Sequence, residues 1–132
     1  MKIAIAVSIL FMFFFCGCSK DDKTEGTTKI EIDFVWDLNH LARSPEIHLE
    51  NVPEGVDRLT IYFYDVTANN YSHGGGSIPY DGSGIIPVSA FKDFKGLTSM
   101  FGIPKIKVTV EAFNKNGQLV GKGAITKEPP NQ

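Results

Sequence analysis

Apolar and polar positions alternate through most of this chain with the two-residue period of strands. Residues 29–36 (KIEIDFVW) place Ile30, Ile32, Phe34 and Trp36 on one face and Glu31, Asp33 and Val35 on the other. Residues 46–51 (EIHLEN) alternate around Ile47 and Leu49. Residues 58–66 (RLTIYFYDV) carry Leu59, Ile61, Phe63 and Asp65 on one face and Thr60, Tyr62, Tyr64 and Val66 on the other. Apolar or aromatic groups occupy both of those faces, which predicts a central strand covered on both sides. Residues 105–113 (KIKVTVEAF) alternate at Ile106, Val108, Val110 and Ala112, and residues 118–125 close a hairpin across Asn114-Lys115-Asn116-Gly117, a turn of residues that tolerate positive φ. Val52-Pro53-Glu54-Gly55 is a second turn signal. No stretch sustains a 3.6-residue period, and residues 89–94 supply one or two helical turns at most. The pattern predicts an all-β, or mostly β, fold: a small antiparallel two-sheet sandwich, Greek-key-like, with at most one short helix.

The first 28 residues break this pattern. Lys2 precedes an unbroken apolar run from Ile3 to Phe15, followed by Cys16-Gly17-Cys18 and then the polar Ser19-Lys20-Asp21-Asp22. A positive start, an apolar stretch and a small-residue cleavage site read as a secretory signal. The run of about 13 residues is short of the roughly 20 that a membrane-spanning helix needs. The cysteine placed directly after Gly17 resembles a bacterial lipoprotein signal, which implies that residues 1–17 are removed and Cys18 is acylated as the mature N-terminus. Cys-Ser-Lys-Asp-Asp is also similar to the surface-export tag of Bacteroides-type lipoproteins. The resemblance implies a bacterial cell-envelope protein, lipid-anchored to the outer membrane and exposed at the surface. Each buried acyl methylene contributes about 0.8 kcal/mol, so two or more chains hold a protein durably. Residues 18–28 then read as a charged tether, and residues 29–128 as the domain. The end of the chain, KEPPNQ, lacks apolar residues, and residues 129–132 are expected to form a loose tail.

With Cys16 lost and Cys18 acylated, the domain has no thiol for a disulfide and rests on its core. The net charge of −2, one unit more negative without Lys2, argues against a nucleic-acid partner, which would need clustered Lys and Arg. His40, His48 and His73 are scattered without paired ligand spacing, so no metal or other cofactor is expected. His48 lies opposite Ile47 and Leu49, on a solvated strand face. Ser44, Ser72 and Ser77 lack the context of a nucleophile and no carboxylate pair stands out, so no enzyme activity is expected.

Residues 67–84 (TANNYSHGGGSIPYDGSG) are nearly all turn formers and read as a loop. Gly74, Gly75 and Gly76 permit close backbone approach, and amides turned toward one point make an anion-binding concavity. His73 beside them can donate a further hydrogen bond. A plain surface connection is the competing reading. For Asp65 the competing reading is a strand-end residue capping the next turn.

Taken in order, several pieces resemble the phosphatidylethanolamine-binding protein family, the Raf kinase inhibitor-like proteins, in their compact bacterial form. They are Ser44-Pro45-Glu46-Ile47, Leu49, Asn51-Val52-Pro53-Glu54-Gly55-Val56, Leu59 and Tyr64-Asp65 in the first half. His73, Ile78-Pro79, Ile86-Pro87, Gly96 and the strand ending Ala112-Phe113-Asn114 follow in the second. The resemblance implies a β-sandwich with an anion pocket at one end, for phosphate or a phospholipid head group, with Asp65 and His73 at matching positions. It departs from the family at Asp65-Val66-Thr67-Ala68, which lacks the Pro and second Asp of the acidic box. A second pocket histidine would fall near Pro104-Lys105, where Lys105 offers a positive charge instead. The alternative is an immunoglobulin-like structural or adhesion module of the cell surface, without a ligand pocket.

Overall fold

The structure is a computed structural model that describes residues 26–100 and 102–130. The signal segment, Cys18 and most of the tether lie outside the described residues. Eight strands form: β1 (Thr28–Lys29), β2 (Glu31–Phe34), β3 (Ile47–Glu50), β4 (Val56–Asp65), β5 (Tyr71–Pro79), β6 (Ile85–Ile86), β7 (Ile106–Asn114) and β8 (Leu119–Lys127). They build a five-stranded sheet in the order β1-β8-β7-β4-β5 and a three-stranded sheet in the order β2-β3-β6. The two pack as a small all-β sandwich, with no helix among the described residues. The short helix allowed for residues 89–94 is absent: Ser89 takes a positive φ and the segment turns, so that Phe91 and Phe94 reach the core.

Alternation explains what is buried. Leu59, Ile61 and Phe63 of β4 and Ile106, Val108, Val110 and Ala112 of β7 face Ile32, Phe34, Ile47, Leu49 and Ile86 of the smaller sheet, each nearly sealed from solvent. Burying a side chain of this size contributes about 1.5–3 kcal/mol. β4 is central in its sheet, between β7 and β5, but it is covered on one face only. Tyr62 is 38% exposed on the outer face with Tyr64 beside it, because a tyrosine tolerates a wet side that a leucine would not.

Two features depart from a plain antiparallel sandwich. β5 runs through residues read as loop, pairing with β4 along its length. β1 pairs in parallel with β8, Thr28 opposite Gly121, and Ile30 follows it into the core over Gly121 and Gly123. The chain end is also tied down through residue 128. Lys127 Nζ donates to Asp33 at 2.9 Å and to the Phe34 carbonyl at 2.8 Å, and Glu128 pairs with Lys105.

The hydrogen bond from Lys127 is the main reason the Asp33 carboxyl is held below its ordinary pKa. A depressed folded-state pKa gives stability that is present above the unfolded value and lost as pH falls through the folded one. Asp33 is well exposed, so solvent screening limits the contribution to the ~0.2–1 kcal/mol of surface pairs. Unfolding followed from pH 6 down to pH 3 is therefore expected to cost the natural chain slightly more than an Asp33→Asn variant. Equal losses would mean that the pair contributes nothing.

Candidate functional site

The site is built where β4 ends and β5 begins. Phe63 pairs with Gly74 and Tyr64 with Ser72, so His73 is the extra residue of a β-bulge. Bulges of this kind re-aim a side chain. Here the bulge leaves His73 buried, 3% exposed, near the sheet end where Asp65 is 2% exposed. Both line a cavity of about 690 Å³. Its other walls are Thr67, Ala68 and Tyr71 from the β4–β5 turn, Thr98, Ser99, Met100, Ile103, Pro104 and Lys105 before β7, and Glu128 and Pro129 after β8.

The second wall comes from an irregular segment held by long-range backbone bonds. Ser89 N–H donates to the Ser44 carbonyl, Leu97 N–H to the Leu41 carbonyl, and Lys95 N–H to the His73 carbonyl at 2.7 Å. The last bond fixes the segment directly on the bulge. Lys95 Nζ also lies 5.7 Å from the centre of the Tyr71 ring, which meets the His73 ring edge-on at 5.5 Å.

Asp65 caps the turn and also lines the cavity. One carboxylate oxygen accepts hydrogen bonds from Thr67 N–H at 2.9 Å and Thr67 Oγ1–H at 2.6 Å, capping the turn. The other has no hydrogen-bond donor among the described residues, while Asp65 itself lines the cavity. His73 Nε2 is buried with no partner. Trp36 Nε1 shares that condition but does not line this cavity. Leaving a buried polar group unmatched costs about 1–3 kcal/mol, and His73 bears that cost in the cavity that Asp65 also lines. Lys105 supplies a cation at the wall, its Nζ 2.9 Å from Glu128 Oε1.

Gly74, Gly75 and Gly76 do not join the site. They lie within β5 opposite Phe63, Tyr62 and Ile61, and none lines the cavity. The first two are required by crowding: a Cβ on Gly74 would lie 2.1 Å from the Asp93 carbonyl oxygen, and one on Gly75 2.0 Å from that of Ile61. The remaining histidines stay outside as well. His40 bonds Asp37 in a surface turn, and His48, on the exposed face of β3, bonds Glu46. Among the described residues no group of three or more His, Cys, Asp and Glu is gathered to hold a metal ion.

Sequence reasoning missed the apolar rim of Met100, Ile103, Pro104 and Pro129 and the acid Glu128. Prolines beside Lys105 and Glu128 mark where β7 and β8 cease, a weak signal of a sheet end. No protein-family model, curated protein or solved structure matches the chain.

Proposed function

We propose that this chain is an envelope lipoprotein, anchored through Cys18, whose β-sandwich binds a small ligand with an anionic group of the phosphate or head-group class. The reading is one of binding in the manner of the phosphatidylethanolamine-binding proteins that the sequence resembles, and no catalysis is proposed. The observation that carries it is the buried, unpartnered His73 Nε2 in a cavity that Asp65 also lines. An adhesion module would carry the His73 cost of about 1–3 kcal/mol for nothing. His73 Nε2, in the tautomer that carries its proton there, and Lys105 offer donors to an anionic oxygen, while the free Asp65 oxygen accepts from a hydroxyl or amine. With Asp65 and Glu128 in its walls, the cavity repels a bare multiply charged anion. The ligand therefore carries a hydrogen-bond donor next to its anionic group.

Thermal unfolding of a soluble form lacking residues 1–18, against phosphate, phosphoethanolamine, phosphocholine and sulfate, tests this. A ligand at 100 times its dissociation constant adds about 2.7 kcal/mol, which raises the midpoint of a domain this size by roughly 10 °C or more. His73→Leu removes the unmatched nitrogen, so that variant is expected to be more stable by about 1 kcal/mol yet to show no ligand response. A flat panel with the natural sequence, or a shift that survives His73→Leu, overturns the site.

A further inference from the structure

The cavity lies at the sheet end remote from the point where the chain enters. Asp65, Ile106 and Lys127 stand in register across β4, β7 and β8, and the cavity occupies the space beyond that row. β1 runs parallel to β8 with Thr28 opposite Gly121. The chain therefore approaches Thr28 from the Leu119 side, where the turn joining β7 to β8 also lies. From Gly121 to Lys127 is about 20 Å along β8, at roughly 3.3 Å per residue. The entry point is fixed to the sheet, because Ile30 N–H donates to the Lys122 carbonyl at 2.9 Å and the Ile30 side chain is buried.

Cys18 precedes Thr28 by a length of chain that covers at most about 35 Å when fully drawn out. To bring the cavity to the membrane, that chain would have to double back along the domain. The end of the domain at which the chain enters is the one that bears the polar β7–β8 turn, with its exposed Lys115. We infer that the anchored domain stands with its cavity directed away from the membrane that holds it. Its ligand is then a dissolved molecule bearing the anionic group, and head groups of the anchoring leaflet do not reach the site. This rests on the Cys18 anchor and on the cavity as the binding site.

Met100, 90% exposed at the cavity rim, and Lys115 at the other end give the two reporters needed. Each is replaced singly, as Met100→Cys or Lys115→Cys, in the lipidated chain, where acylation blocks Cys18. Each is then labelled with an environment-sensitive fluorophore and placed in phosphatidylcholine vesicles containing head-group spin labels. The spin labels are expected to quench the label at position 115 several-fold more than that at position 100, and aqueous iodide is expected to show the reverse order. Equal quenching by the spin labels, or more at position 100, overturns the orientation. A chain that fails to float with the vesicles overturns the anchor and the proposal with it. The unfolding panel on the soluble form tests the cavity separately, so the failures are distinguishable.

Discussion

Gly75→Ala is expected to be the most damaging single change in the domain. Gly75 sits opposite Tyr62 with φ at +140°, and a Cβ there would meet the Ile61 carbonyl oxygen at 2.0 Å and the Tyr62 Cα at 2.8 Å. Both obstacles are backbone of β4, which is held on its other side by β7 and cannot retreat. A clash of this kind belongs in the exceptional range, on the order of 4–5 kcal/mol, against a total stability of about 5–15 kcal/mol. The midpoint of thermal unfolding is expected to fall by roughly 20 °C, or folding to be lost. Gly76→Ala separates the two causes, because Gly76 has φ at +147° but open space around it. There the cost is backbone strain alone, about 1–3 kcal/mol. If the two variants unfold at the same temperature, crowding against β4 is not what selects glycine at Gly75.

Phe63→Ala is expected to cost about 3–5 kcal/mol, the usual range for emptying a buried aromatic site. Phe63 is fully buried and its ring meets those of Phe91 at 6.1 Å and Phe94 at 5.0 Å, both edge-on. Those two partners belong to the irregular segment that runs on to the cavity wall at Thr98 to Lys105. The loss therefore reaches beyond stability: with its aromatic seat gone the segment relies on the backbone bonds to Ser44, Leu41 and His73, the Phe91 N–H bond to Ser44 Oγ and buried Leu97. Urea unfolding is expected to show a lower midpoint with an unchanged slope, together with a weakened ligand response below the transition. Phe63→Leu keeps most of the volume and is expected to cost far less. An intact ligand response in a destabilised Phe63→Ala would show that the wall does not depend on this cluster.

The strands legible in the sequence are those whose inward residues are large. Ile32 and Phe34, Ile47 and Leu49, Leu59 to Phe63, and Ile106 to Ala112 announce themselves by alternation, and all are buried where that pattern puts them. β5 is illegible because three of its residues are glycines, two of them required by the closeness of neighbouring backbone and none carrying a side chain to alternate. Tyr62 and Tyr64 misled in the opposite sense, since aromatic rings on a strand suit a wet face as well as a covered one. At the site, Asp65 and His73 could be singled out from residue type and order. The bulge that turns His73 inward is a matter of register between two strands, and the wall of residues 98–104 depends on contacts distant in sequence. Neither leaves a local trace.

The parallel pairing of β1 with β8 also bears on when the domain can become stable. The first described strand finds its place only beside the last one, and Ile30 packs over Gly121 and Gly123. Contacts this distant in sequence form late and slowly. An emerging or partly translocated chain consequently lacks the piece that closes its sheet, and it stays threadable until its final strand is through. For a protein read as crossing a membrane before it folds, the topology itself postpones folding to the far side.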